Sequence, residues 1–362
     1  MIRVRPALEQ MPRYVPGRSA ESVASEYALD DVIKLASNEA PFGPLPAALD
    51  AIAAAASGVN RYPDDGSAAL TAALASRYHV DPSQVLLGAG SVELCRQAFA
   101  TTIDPGDEVV FAWPSFEAYP ILAMQVGASI TRVPLVDHRH VLDAMADAVT
   151  DRTRLVFVCN PNNPTGTAVT ADELERFLAR VPSTCLVVID EAYREFVTAD
   201  DYPDGIDLQR AHDNVAVLRT FSKAYGLAAL RVGFAVAHAD VITELHKLRV
   251  PFEVNALAQA AALASLGAET EMRARVAEVV AERARLTEEL AALGLPVVPS
   301  EANFVWLPLE EQAAALGAYS ERAGVVLRPF PDVGVRVTVG AAAENDRLVK
   351  VLRAALDDGV LG

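Results

Sequence analysis

Leu186-Val-Val-Ile-Asp190-Glu-Ala-Tyr193 is an unbroken apolar run that ends in an acid. A strand of this kind has both faces covered, as in a parallel sheet packed between helices. Similar runs lie on either side. Gln84–Gly88, Glu108–Phe111, Ser129–Pro134, Leu155–Cys159, Cys185–Asp190, Val215–Thr220 and Val232–Ala237 read as seven strands. Helical patterns separate them at Val92–Thr102, Phe116–Val126, Val141–Val149 and Thr170–Arg180. Strands alternating with helices predict an α/β fold around a mainly parallel seven-stranded sheet.

After about Asn255 the pattern changes. Ala256–Leu266 and Glu271–Leu293 read as consecutive helices, the second stopped by Gly294 and Pro296. Short strands follow at Asn303–Leu307, Val325–Arg328 and Val335–Val339. The expected division is a large domain over 45–255 and a smaller α+β domain built from 1–44 and 256–362.

Composition narrows the function. The 362 residues carry 31 Lys+Arg against 48 Asp+Glu, a formal charge of −17. Phosphate-backbone or anionic-membrane binding needs a basic footprint, so neither nucleic acid nor membrane is an expected partner. No apolar stretch is long enough to span a bilayer, and the Pro-rich start lacks a signal-peptide core. Cys95, Cys159 and Cys185 sit in apolar runs without metal-ligand spacing, which reads as reduced cysteines, no metal and a cytoplasmic location. Only four of the basic residues are lysines: Lys34, Lys223, Lys247 and Lys350.

Four strand ends carry polar clusters, and ligands of open α/β sheets bind outside the carboxyl ends of strands. Gly88-Ala-Gly90-Ser-Val92 opens a helix whose N-terminal N–H groups suit an anion. A dinucleotide fingerprint would need a third glycine where Glu93 lies, which weighs against a nicotinamide-dependent dehydrogenase. Asn160-Pro-Asn-Asn-Pro-Thr-Gly166 is a stiff turn that can aim Asn163. Asp190 is either an N-cap or an ionised acid facing a buried cation, with Tyr193 close by. Lys223, among Phe221, Ala224, Tyr225 and Gly226, is poorly placed for a solvated charge. A desolvated lysine loses its proton readily, as a Schiff-base nucleophile must. Arg231, eight residues on, can neutralise a phosphate near Ser222.

A lysine, a strand-end carboxylate and a phosphate cradle are the parts of a pyridoxal-phosphate site. In order, the Gly-Ser turn, Asn-Pro-Thr-Gly, Asp-Glu-Ala-Tyr and Ser222-Lys-Ala-Tyr-Gly-Leu-Ala-Ala-Leu-Arg231 resemble the fold-type I aminotransferases over essentially the whole chain. Asn38-Glu-Ala-Pro-Phe-Gly43, Asn60-Arg-Tyr-Pro-Asp64, Ala302-Asn-Phe304 and Val335-Arg-Val-Thr-Val-Gly340 resemble the histidinol-phosphate aminotransferase branch. The resemblance implies that Lys223 is the Schiff-base lysine and proton shuttle, and that Asp190 pairs with the ring nitrogen. It implies that Asn163 and Tyr193 bind the ring oxygen, and that Gly90, Ser91, Val92, Ser222 and Arg231 surround the phosphate. Phe116 is the expected stacking ring, with Tyr119 the alternative. Tyr62 is expected to reach the neighbouring subunit's phosphate, making a homodimer the working unit. Arg336 and Arg328 are expected at the substrate's anionic end, and Asn38 and Tyr14 at the substrate entrance.

Two departures bear on the donor. The acidic residue usual after the Gly-Ser turn is Val92, and Asn-Glu-Asn-Pro-Tyr is replaced by Asn38-Glu-Ala-Pro-Phe42. Trp113-Pro-Ser-Phe-Glu-Ala-Tyr-Pro120 and Tyr14-Val-Pro-Gly17 are similar to the actinobacterial-type aromatic (phenylalanine) aminotransferases. The expected reaction is transamination of aromatic L-amino acids (Phe, Tyr, Trp) with 2-oxoglutarate; histidinol phosphate is the alternative donor. Either donor has an anionic group for the arginine pair, so Arg328 and Arg336 do not decide between them. A non-enzymatic regulator on the same fold would need an appended basic DNA-binding domain, for which this chain offers neither the length nor the charge.

Overall fold

The computed structural model describes residues 2, 4, 11, 12 and 17–362. Strand β1 (Ile33–Lys34) is short, and β2 (Val85–Gly88), β3 (Glu108–Trp113), β4 (Ser129–Pro134), β5 (Thr153–Cys159), β6 (Leu186–Asp190), β7 (Val215–Thr220) and β8 (Gly233–Ala237) follow. The C-terminal part adds β9 (Phe304–Glu310), β10 (Val325–Val326), β11 (Arg328–Phe330) and β12 (Val333–Thr338). Strands β2 to β8 form one seven-stranded sheet in the order β2-β8-β7-β6-β5-β3-β4. Within it β8 runs antiparallel to both neighbours, and the remaining strands share one direction. One edge of the sheet therefore collects the carboxyl ends of β2, β5, β6 and β7 and the amino end of β8.

The apolar runs do what double covering requires. Val187 and Ile189 of β6 belong to one buried core and Leu186 and Val188 to the other. Helices supply the opposite walls, among them Ser91–Thr102, whose Leu94, Cys95 and Phe99 face the second core. The first core continues without a break into the three-stranded sheet β11-β12-β9 through Phe304, Leu307, Val335 and Val337. Strand β1 pairs in parallel with β10, tying the segment before residue 45 to the C-terminal part. Cys95, Cys159 and Cys185 are free and buried. No helix among the described residues is long and apolar enough to cross a membrane.

Two local expectations change in ways that matter for function. The helix expected at Phe116 begins at Ala118, with Pro120 in its first turn, where a missing N–H costs nothing. Phe116 and Glu117 thus lie on the loop leaving β3. The single strand expected over Val325–Arg328 is two, because the chain changes partner at Leu327: β10 pairs with β1 and β11 with β12.

Candidate active site

The shared sheet edge builds the site. Gly88 of β2 and Thr220 of β7 both pair with Gly233 of β8. A Cβ on Gly233 would lie 2.7 Å from the Ser91 amide nitrogen, so glycine lets the turn at 89–91 settle against β8. Gly90 has φ +81°, and a Cβ there would run into the Arg231 guanidinium. The turn thus presents the start of the Ser91–Thr102 helix, which has no side-chain cap, beside that guanidinium. Glu93 turns aside to pair with Arg96 (2.8 Å). Thr220 Oγ1 accepts from the Ser222 amide (3.1 Å) and donates to the Ser222 hydroxyl (3.0 Å), holding Ser222 at the same place.

Asp190, 3% exposed, ends β6. Its Oδ2 accepts a hydrogen bond from the Tyr119 hydroxyl (2.8 Å). Its Oδ1 is buried without a hydrogen-bond partner among the described residues. Burial pushes this carboxyl up to about 6, against the Tyr119 hydrogen bond, which pulls it down. Lys223 Nζ donates to the backbone carbonyls of Ser37 (3.3 Å) and Asn38 (3.1 Å). Burial first, and the Arg336 guanidinium second, push its amine down to about 7. Tyr193 accepts from Asn38 Nδ2 (3.0 Å), and burial holds its phenol above the ordinary value. Asn163 Oδ1 accepts from Arg336 (2.5 Å), which also donates to the Ala36 carbonyl (2.6 Å).

Ser91, Val92, Phe116, Asn163, Asp190, Tyr193, Ser222, Lys223 and Arg231 line one cavity of about 230 Å³ together with Ser37, Glu39 and Thr220. Gly90 packs against Arg231 of that lining, next to the cavity and not on its wall. The remaining sequence-predicted residues fall elsewhere. Asn38 is buried beneath Tyr193, its amide nitrogen bonded to Thr338 Oγ1 (2.8 Å), so the neighbouring Ser37 and Glu39 face the cavity instead. Tyr62 is 82% exposed and stacks on Phe252, ring centroids 4.5 Å apart. Arg328 is paired with Glu117 (2.7 Å). Tyr14 lies outside the described residues. Tyr119, the alternative stacking ring, is fully buried against Phe157 (4.4 Å) and serves Asp190 through its hydroxyl. Nothing in the spacing of Tyr119 signals that contact. The same holds for Thr338 under Asn38 and Thr220 under Ser222.

The donor set fits pyridoxal phosphate. The unpartnered buried oxygen of Asp190 matches a ring N–H, and the amide pair at the helix start with Arg231 and Ser222 matches a phosphate. Lys223 offers an amine, a large fraction of it neutral near pH 7, to an aldehyde. Only the neutral amine attacks. Capture of added pyridoxal phosphate by cofactor-free protein is therefore expected to quicken about tenfold from pH 6 to pH 8 and to level off above. Stopped-flow absorbance checks this; a rate still rising steeply to pH 10 would contradict the lowered amine.

The profile of the family described as aminotransferase class I and II matches residues 30–352. The aromatic amino acid aminotransferase of Thermobifida fusca (strain YX) is 55% identical over 350 residues, 97% of this chain and 96% of that protein. The aromatic amino acid aminotransferase of Streptomyces coelicolor is 53% identical over 352 residues, 96% of each. The crystal structure of histidinol-phosphate aminotransferase from Sinorhizobium meliloti in complex with pyridoxal-5'-phosphate superposes with a TM-score of 0.90 at 27% identity, covering 99% of this chain and 98% of that one. A lysine and an aspartate with one unpartnered oxygen facing one cavity, in a chain matched by that profile over nearly its whole length, lead to one conclusion: this chain belongs to the aminotransferase class I and II family.

Proposed function

We propose that the protein is a pyridoxal-phosphate-dependent aminotransferase that moves the amino group of aromatic L-amino acids (Phe, Tyr, Trp) to 2-oxoglutarate. The observation that carries the chemistry is the buried, unpartnered Oδ1 of Asp190 in the same cavity as Lys223. When bound, the cofactor supplies the electron sink that lets a substrate Cα–H bond break heterolytically. Asp190 holds the proton on the ring nitrogen, and Tyr119 keeps that carboxylate oriented. Lys223 would hold the cofactor at rest and, once freed by the donor's amine, would carry the proton taken from the substrate Cα to the cofactor's C4′ carbon, the shift that moves the amino group. Asn163 and Tyr193 would hold the ring oxygen, and Phe116 in the cavity wall would cover the ring. Gly90, Ser91, Val92, Ser222 and Arg231 hold the phosphate, and Arg336 takes the donor's carboxylate.

The aromatic donor is supported by the names of the relatives and by Phe116 in the cavity wall. A homodimer is supported by exposed apolar side chains around Tyr62, namely Val59, Val250 and Phe252. In that dimer Tyr62 reaches the partner subunit's phosphate site. The division into a 45–255 cofactor-binding domain and a second domain of 1–44 and 256–362 is supported by the β1–β10 pairing. A cytoplasmic location accords with the three reduced cysteines.

The test of the donor is kcat/KM for phenylalanine, tyrosine, tryptophan, histidine and histidinol phosphate with 2-oxoglutarate as acceptor. Phenylalanine is expected to exceed histidinol phosphate by at least about tenfold, the discrimination a shaped pocket achieves. A preference for histidinol phosphate would overturn the donor assignment.

A further inference from the structure

Strands β11 and β12 place Arg328 directly opposite Arg336. Cross-strand partners share a face, so two guanidiniums are brought side by side, an arrangement that costs stability unless an anion intervenes. Both lie over the Phe330 ring, at 5.6 Å and 5.9 Å from its centroid. Arg336 reaches towards the cavity through Asn163. Arg328 instead meets a carboxylate that the protein itself supplies: its Nη2 donates to both oxygens of Glu117, at 2.7 and 2.8 Å. Glu117 follows Phe116 of the cavity wall, on the loop that the later helix start leaves free. The pair therefore links the Phe116 loop to the strand carrying Arg336. It is only partly shielded, with Arg328 13% and Glu117 32% exposed at the side chain, so it remains within reach of a substrate.

We infer that Glu117 is a specificity-determining residue: by occupying Arg328 it fits the anion end of the donor site to a carboxylate and sets it against a phosphate. An aromatic amino acid brings a carboxylate on Cα, which Arg336 takes alone; histidinol phosphate carries a larger, more highly charged phosphate group in the carboxylate's place. A donor ending in a phosphate needs Arg328 as well. To gain it, the phosphate must displace Glu117 and then lie beside the released carboxylate, a like-charge contact. Selectivity against the phosphorylated donor thus comes from a repulsive element on the Phe116 loop, and the two arginines by themselves leave the choice open. This inference rests on the proposed aromatic-donor reading.

The test is the ratio of kcat/KM for histidinol phosphate to that for phenylalanine, in the wild type, in Glu117→Gln and in Glu117→Gln/Arg328→Gln. Glutamine keeps the size and removes the charge. The single variant is expected to raise the ratio about 10- to 100-fold, the worth of a hydrogen bond to a charged group. The double variant is expected to lose that gain, because Arg328 is what the phosphate acquires. A merely structural role for Glu117 would lower both donors together and leave the ratio in place. An unchanged ratio in Glu117→Gln, with the wild type still preferring phenylalanine, overturns this inference alone. A wild type that prefers histidinol phosphate overturns the donor reading itself.

Discussion

Lys223→Ala is expected to abolish transamination, with kcat/KM falling at least about 10⁴-fold, and to remove the absorption band of the lysine-bound cofactor. The expectation follows from placement. Among the described residues the amine donates only to the Ser37 and Asn38 carbonyls, and burial has already pushed its pKa down to about 7. Among the described residues no other lysine lines the cavity. Lys223→Arg is expected to fail equally, since a guanidinium stays protonated and is a very poor imine nucleophile. The Lys223→Ala loss does not reflect unfolding: truncating a desolvated amine leaves no buried charge behind, so this variant should melt no earlier than cofactor-free wild type. Turnover by either variant would remove Lys223 from the proposed role.

Asp190→Asn is expected to lower kcat about 10²- to 10³-fold while leaving cofactor capture by Lys223 in place. The amide has the carboxylate's shape, and its oxygen can still accept from Tyr119, but it cannot keep a proton on the ring nitrogen. The pH dependence separates chemistry from stability. The folded carboxyl titrates at about 6 and its ordinary value is 3.8, so the cofactor-free folded state binds the extra proton between these values. Stability from that proton is complete below 3.8 and lost as pH rises through about 6. Above pH 6 the cofactor-free wild type carries a buried ionised oxygen without a partner, and the variant does not. Asp190→Asn should therefore be at least as stable as wild type there when cofactor-free, and still be slow when loaded. Full activity in Asp190→Asn would refute the ring-nitrogen role.

Much of the site was legible because its parts are local. The Gly-Ser turn, the Asn-Pro turn, Asp190 and Lys223 each end a strand or open a helix, and the strands are readable as apolar runs. Once those strands share one sheet with β8 reversed, the polar ends meet at one edge. Phe116 was legible as an aromatic near the site but misread as part of a helix, since the helical period continues through residues that Pro120 places before the first turn. Asn38 was legible as a motif residue, but its burial beneath Tyr193 depends on Thr338 and Asn303, which hold its backbone from the C-terminal sheet.

By itself the sequence determined the α/β class and the seven strands, and it singled out the lysine, carboxylate and phosphate-cradle residues proposed for the site, because hydrophobic periodicity and turn chemistry act over a few neighbouring residues. Tertiary structure alone decided that Tyr119 serves Asp190 across 71 positions and that Glu117 occupies Arg328 across 211. A hydrogen bond or ion pair between distant positions depends on which loop lies over which strand end. No local pattern encodes that, so the proposed basis for donor selectivity emerged only when the chain was folded.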